Sequence, residues 1–324
     1  MPPRRVIGID AGGTKLLGGV VDEGLSVHHR VHRLWRGADR AETLDIFVAA
    51  VEEVRAAAPD VDAVGFGIPA LVDRRSGAAV WSNHLPIDGV PFADLMSERL
   101  GLPVFVDNDT NVAVLAEHRH GAARGAEHAV MVALGTGIGG GLVIGGRVHR
   151  GTRGFAGELG HIPLDIHGED CPGDCPGRGC FETLVSGRAI GVAAERRGRD
   201  HPGSTFGRLL AEAGAIRGGL VTELAHDGDG QAREVLREVG ERLGIGVAGL
   251  VNALDPGVVV IGGGAVAAGD LLLDPARELL AARALPPGGE PPPIVAARFG
   301  SESAMLGAAL LALDGGAATD GPRS

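Results

Sequence analysis

A strand, a glycine turn and a returning strand occur twice in this chain, roughly one domain length apart, and that repetition constrains the fold more than any other feature. Val6 to Asp10 reads as a buried strand, Ala11-Gly12-Gly13-Thr14 as a tight turn and Leu16 to Val21 as the return. Ala129 to Leu134 leads into Gly135-Thr136-Gly137-Ile138-Gly139-Gly140-Gly141, read as a second turn, and then into Leu142-Val143-Ile144. Two copies of one unit predict an α/β chain of two related halves facing each other. A length of 324 residues suffices for two domains of about 150 residues each.

Between the turns, Leu44, Phe47, Val48, Val51 and Val54 recur at helical spacing and predict an amphipathic helix over Glu42 to Ala58. Val61 to Ile68 and Val104 to Val106 read as strands, Gln231 to Leu254 as a long helix, and Val258 to Ile261 as a last buried strand. Gly262-Gly263-Gly264 ends that strand and is placed to open a helix. A proline-rich surface loop over Leu285 to Pro293, a closing helix over Ser301 to Asp314 and a disordered small-residue tail over Gly315 to Ser324 complete the pattern.

Composition narrows the function. With Gly 55, Tyr 0 and aromatic residues at 3%, the cores must be built from Val, Leu, Ile and Ala, and platforms for stacking bases are scarce. A formal net charge of −11 opposes binding to a phosphate backbone by counterion release, so no nucleic-acid partner is expected. No apolar run approaches the ~20 residues of a membrane span, and no signal-peptide stretch precedes Val6. A cytoplasmic setting without a membrane partner is the expectation.

The first glycine turn, Asp10-Ala-Gly-Gly-Thr-Lys15, lacks the spacing of a Walker A loop. Alone it reads as a hairpin turn with a surface lysine. Paired with Gly135 to Gly141, it predicts two loops of backbone N–H groups clamping a polyphosphate, with Thr14, Lys15 and Thr136 adding donors and Asp10 holding a magnesium-bound water. Gly262 to Gly264 adds a backbone surface for adenine and ribose. Val106-Asp107-Asn108-Asp109-Thr110-Asn111 has two readings: an Asx turn capping a helix over Val112 to Glu117, or a site in which Asp109 is a general base toward a substrate hydroxyl and Asn108 binds a neighbouring one.

All three cysteines follow Glu158-Leu-Gly-His161 closely, as Cys171, Cys175 and Cys180, and Glu182 comes next. One histidine and three cysteines are the number and type of ligand that a closed tetrahedral zinc site takes. An odd, clustered set of cysteines suits a metal better than an extracellular disulfide framework. Such a zinc is structural. It leaves the second nitrogen of His161, with Glu158 and Glu182, to accept hydrogen bonds from a polyhydroxylated substrate.

In this combination the chain resembles the ROK family of repressors and sugar kinases, and among them its bacterial glucokinases. The resemblance runs through Asp10-x-Gly-Gly-Thr-Lys15, Gly67-Ile-Pro69, Asn108-Asp109-x-Asn111, Gly135-Thr-Gly-x-Gly-Gly-Gly141, Glu158-x-Gly-His161, Gly179-Cys180-x-Glu182 and Gly262-Gly263-Gly264, in order over nearly the whole length. It implies an actin-like ATPase fold of two ribonuclease-H-like domains. We expect a smaller domain over 1–117 and 300–324, and a larger one over 118–299 that carries the zinc loop.

The resemblance also implies ATP-dependent phosphorylation of a hexose at its 6-hydroxyl, glucose first, with ATP, Mg²⁺ and structural Zn²⁺. Alternatives within the family are kinases of N-acetylglucosamine, N-acetylmannosamine, mannose or fructose, a sugar-sensing regulator, and a polyphosphate-using glucokinase. The regulators carry an added N-terminal winged helix, whereas this chain enters its first strand directly after Arg5. Matched position by position, Asp109 is the catalytic base, also touching sugar, and Asn108, Glu158, His161 and Glu182 bind sugar. Asp10, Gly12, Gly13, Thr14, Lys15, Thr136 and Gly137 bind phosphate, and Gly262 and Gly263 face the nucleoside.

The zinc ligands depart from the family pattern. Cys175 and Cys180 keep the family spacing, but Gly173 stands where the first cysteine is usual, so the loop must bulge for Cys171 to join His161, Cys175 and Cys180 on the metal. Assembly as a homodimer or homotetramer is expected from the resemblance alone.

Overall fold

Buried aliphatic side chains on both faces make β1 (Arg5–Ala11) a central strand, and the glycine turn returns it as β2 (Lys15–Asp22), antiparallel from Arg5↔Asp22 to Ala11↔Leu16. β3 (Val27–Leu34) adds an edge whose side chains are mostly at least partly exposed. α1 (Arg40–Ala57) is capped by Asp39, which accepts the Glu42 N–H, and buries Leu44, Phe47, Val51 and Val54, the stripe expected from their spacing. β4 (Val64–Ile68) follows, then a short hairpin of β5 (Leu71–Val72) and β6 (Ala79–Trp81), then α2 (Phe92–Leu100). β7 (Val104–Asn108) runs directly into α3 (Asp109–His120).

The computed structural model describes residues 4–12, 15–35, 37–285 and 290–316. It divides into two units, the described parts of Met1–Gly125, Gly141–Gly157 and Ser301–Ser324, and those of Ala126–Gly140 and Glu158–Gly300. The first sheet has the order β3-β2-β1-β4-β7, with β1, β4 and β7 parallel. Aromatic residues are few, yet Phe47, Phe66 and Phe92 meet in this core, with ring centroids 5.3 Å apart for Phe66 and Phe92. The closing helix Ser303–Leu313 lies against α3 and β1. At Gly307 an added Cβ would fall 1.7 Å from the Val112 carbonyl oxygen, so only glycine permits that helix contact.

The second sheet repeats the order as β10-β9-β8-β11-β12, from β8 (Ala129–Leu134), β9 (Ile138–Ile144), β10 (Arg147–Val148), β11 (Val258–Gly262) and β12 (Ile294–Ala296). The duplication read from the two glycine turns is thus present in the topology. One expectation needs correction. The second turn was read through Gly141, whereas β9 already begins at Ile138, so Gly139, Gly140 and Gly141 are strand residues. A Cβ on Gly141 would lie 2.8 Å from Val114, and that close packing explains a glycine run inside a strand.

α4 (Phe181–Val185), α5 (Gly187–Asp200), α6 (Thr205–Ala213), α7 (Gly218–His226), α8 (Gly230–Leu254) and α9 (Asp270–Arg283) cover the second unit. A short 3₁₀ turn, Gly264–Ala268, follows β11. Among the described residues no helix is long and apolar enough to cross a membrane. The readings at Gly13, at Thr14, over 286–289 of the proline-rich loop and over 317–324 of the tail lie outside the described residues.

Candidate functional site

In the first unit the sheet register lines up one row of backbone. Asp10 pairs with Gly67, and Gly67 with Asp107, at the C-terminal ends of three parallel strands. That end of an open parallel sheet is where α/β folds bind ligands. Gly67 keeps the row open, since a Cβ there would meet Val112 at 2.7 Å and the Asp109 Cα at 3.3 Å.

The capping reading of the Val106–Asn111 segment holds, at a helix that begins earlier than expected, at Asp109. Asn108 caps α3, its Oδ1 accepting the N–H groups of Thr110 (2.9 Å) and Asn111 (3.2 Å), while its Nδ2 donates to the Ala70 carbonyl at 3.4 Å. Asp109 is the first residue of the helix. Its Oδ1 accepts the Thr110 N–H at 2.7 Å and the Thr110 hydroxyl at 3.2 Å; Oδ2 takes no hydrogen bond among the described residues. Desolvation pushes the Asp109 carboxyl above the usual range against the Thr110 bonds, with His84 and Asp107 as lesser opposed influences. Asp10 is pushed up to about 8, by burial and then by the charge of Asp109. Two buried carboxyl groups, both raised, mark this strand end as a candidate site of proton chemistry. Gly12 is half-buried at the turn, and Lys15 is exposed as β2 begins.

Arg150 was not legible as a site residue. Its Nε donates to Asp107 Oδ2 at 2.5 Å with both side chains buried, and Asn111 Nδ2 donates to Asp107 Oδ1 at 3.1 Å. Asp107 therefore anchors the segment that presents Asn108 and Asp109.

In the second unit, the Nδ1 of His161 and the sulfurs of Cys171, Cys175 and Cys180 all lie within 4.8 Å of one another, and His161 Nδ1 is 3.5 Å from Cys171 Sγ. Tetrahedral zinc with bonds of about 2.3 Å to sulfur and about 2.0 Å to nitrogen sets its ligands roughly 3.5–3.8 Å apart; the His161–Cys171 distance meets that spacing, and the whole set lies within about 1 Å of it, with the number and type of donor zinc takes. The altered cysteine spacing is absorbed by a small hairpin in which Asp170 pairs with Arg178 and the Cys171 N–H donates to the Gly177 carbonyl at 2.9 Å. Gly177 N–H in turn donates to Cys175 Sγ at 3.4 Å, and a Cβ on Gly177 would strike Cys180 Sγ at 2.7 Å. Burial pushes the Cys171 and Cys180 thiols up, and for Cys171 a hydrogen bond to the Glu182 carboxyl adds to it.

With Nδ1 toward the sulfurs, His161 presents Nε2 to Glu158, whose Oε2 is 3.8 Å away. Glu158 is exposed just before the 3₁₀ turn Leu159–His161. Glu182 is buried in the first turn of α4 and bridges two parts of the unit: Oε2 accepts the Ile138 N–H at 3.2 Å, and Oε1 accepts the Cys171 thiol at 3.2 Å. Ile138 closes the second glycine turn, where Thr136 is exposed and Gly135 N–H donates to the Gly137 carbonyl at 3.0 Å. Gly262 ends β11 and Gly263 follows with φ of 77°, turning the chain into the 3₁₀ segment.

Comparison with known proteins agrees with this geometry. The model of the ROK family matches residues 6–315. The chain is 34% identical over 259 residues to a glucokinase of Streptomyces coelicolor, a match covering 79% of this chain and 80% of that protein. It is 28% identical over 232 residues to a xylose repressor of Caldicellulosiruptor bescii, covering 70% of this chain and 57% of that one. A solved structure of a ROK family glucokinase from Streptomyces griseus, in complex with glucose and AMPPNP, is similar with a TM-score of 0.86 at 34% identity, over 95% of this chain and 98% of that chain.

Proposed function

The chain belongs to the ROK family, and from that premise we propose that it transfers the γ-phosphoryl group of ATP to the 6-hydroxyl of a hexose, glucose before its relatives. The observation that carries this reading is Asp109, with a raised carboxyl and Oδ2 without a partner among the described residues, set by a capped helix at the end of β7 beside Asp10.

Asp109 accepts the proton of the sugar hydroxyl as its oxygen attacks the γ-phosphorus. The bond from that phosphorus to the β–γ bridging oxygen breaks, and ADP leaves with that electron pair. Such a loose transfer asks for positioning and charge stabilisation more than for covalent chemistry. Asp107, held by Arg150 and Asn111, fixes the segment from which Asp109 reaches the hydroxyl. Lys15 and the backbone of Gly12 supply charge and donors to phosphate, and Thr136 and Gly137 do so from the second turn. Gly262 and Gly263 offer backbone to the nucleoside. Mg²⁺ arriving with ATP would supply positive charge at the phosphates.

Glu158, His161 Nε2 and Glu182 supply acceptors for the hydroxyls that distinguish one hexose from another, and Asn108 Nδ2 supplies a donor for a sugar hydroxyl. His161 Nδ1 with Cys171, Cys175 and Cys180 would hold Zn²⁺, whose service is to fix the His161 ring. Three thiols gathered in a metal-type cluster also support a cytoplasmic setting.

The test is ADP release with ATP and magnesium across glucose, N-acetylglucosamine, N-acetylmannosamine, mannose and fructose, with Asp109→Asn as the blank. A glucose-selective rate that the variant loses supports the reading. Selectivity for an N-acetylated sugar moves the substrate within the family, and silence with every sugar overturns it.

A further inference from the structure

The first unit contains a cavity of about 210 Å³ that the phosphoryl transfer does not use. Its lining combines apolar Val72, Val104, Phe105 and Leu311 with Arg74, Arg75 and Arg150. Arg150 is a buried cation with its donors only partly satisfied. Nε goes to Asp107 and Nη1 to the Val148 carbonyl at 3.2 Å, while Nη2 is buried with no hydrogen-bond partner. A buried charged donor left unpaired is costly, and proteins rarely keep one without a ligand or water to complete it.

A single water is a poor match for this space, because its share of liquid volume is about 30 Å³. The charge balance of the lining favours an anion. Arg74, Arg75 and Arg150 line the cavity with a single acidic residue, Asp107, which already accepts from Arg150, Asn111 Nδ2 and the Asn108 N–H at 2.8 Å. The nearby Asp73 is turned onto its own loop, where Oδ1 accepts the N–H groups of Arg75 and Ser76 and the Ser76 hydroxyl. Planar guanidinium groups pair with carboxylate or phosphate oxygens.

We infer that this cavity binds a small organic oxyanion, a carboxylate or phosphomonoester of a few carbons, with its charged end on Arg150 Nη2 and Arg75 and its body against Val104, Phe105 and Leu311. The inference goes beyond the proposed kinase activity and does not depend on it.

The experiment is calorimetric titration of the full chain, held in saturating glucose and a non-hydrolysable ATP analogue so that catalytic phosphate positions are filled. The probes are inorganic phosphate, glycerol 3-phosphate and malonate, with binding to Arg75→Glu and Ala93→Met compared. Ala93 lines the cavity, and methionine there fills it. Expected is binding of at least one organic probe at one site per chain, with Kd below about 1 mM, weakened about tenfold or more in both variants while turnover without the probe is unchanged. Tighter binding of glycerol 3-phosphate than malonate identifies a phosphomonoester site, and the reverse a carboxylate site. No heat from either organic probe, or binding that both variants retain within about twofold, overturns the inference.

Discussion

Glu182 Oε2 accepts the Ile138 N–H at 3.2 Å, so the carboxylate assigned to sugar also holds the glycine turn assigned to phosphate. An added Cβ on Gly137 would fall 2.4 Å from that same oxygen. Gly137→Ala is therefore expected to raise KM for the sugar as well as for ATP, by displacing Glu182. Steady-state kinetics with each substrate varied in turn checks this; an effect on ATP alone would separate the two sites. Glu182→Ala leaves the Ile138 N–H unsatisfied and is expected to cost about 1–3 kcal/mol of stability, read by urea denaturation.

Asp109→Asn keeps an Oδ1 that accepts from Thr110 and removes the base. A fall in kcat of ~10²- to 10⁴-fold is expected, with the thermal midpoint nearly unchanged, since general-base assistance is worth about that factor. Comparing kcat with the melting curve of the same preparation distinguishes chemistry from misfolding.

The two glycine turns made the duplicated topology legible, because a strand pair needs a glycine reversal and few other folds need it twice. The gathering of His161, Cys171, Cys175 and Cys180 was legible too, since these residue types sit within one short stretch of sequence. What escaped was long-range. Nothing near Arg150 in sequence points to Asp107, and their pairing depends on where β7 and the segment after β10 arrive in space. The Gly139–Gly141 run misled for a related reason: its glycines serve close packing against Val114 as much as reversal, and only the packing partner reveals that.

Acid should inactivate the protein at unusually high pH. As the proposed base, Asp109 must be deprotonated to act, and desolvation raises its carboxyl; Asp10 nearby is pushed up to about 8. The acidic limb of kcat/KM against pH is expected to fall off above the ordinary carboxylate range of about 4, with an apparent value belonging to the pair. Asp10 is still protonated below about 8, so Asp10→Asn takes no charge away from Asp109 over that range and should leave the limb in place. Stability carries the matching sign. A carboxyl raised in the folded state binds its proton more tightly than in the unfolded chain, so the contribution of Asp10 is complete below the ordinary aspartate value of 3.8 and is lost as pH rises toward about 8. Denaturation midpoints of wild type and Asp10→Asn should converge at acid pH and diverge in favour of the variant at neutral pH.

Chelation should act on stability and sugar binding together. His161 shares its cluster with Cys171, Cys175 and Cys180, and Cys171 Sγ lies 3.2 Å from Glu182 Oε1, so loss of the metal would loosen both residues proposed to bind sugar. Prolonged treatment with a strong chelator is expected to remove one zinc per chain by atomic absorption, lower the thermal midpoint and raise KM for sugar more than for ATP. Cys180→Ser should reproduce all three effects. A chelated protein with full zinc loss and unchanged sugar KM would disconnect His161 from the metal.

The Asp107–Arg150 pair offers the largest stability effect. Both side chains are under a tenth exposed, so removing one partner strands a charge in the core, which typically costs about 3–5 kcal/mol. Arg150→Met is expected to destabilise by that amount, and Asp107→Asn by less, because Asn111 and the Asn108 N–H keep an oxygen to donate to. Combining the two should cost less than the sum of the singles, since neither charge is then left alone. Urea unfolding of the four proteins at one pH measures the coupling directly. Strict additivity would mean that the ion pair does not hold the segment on which Asp109 is mounted.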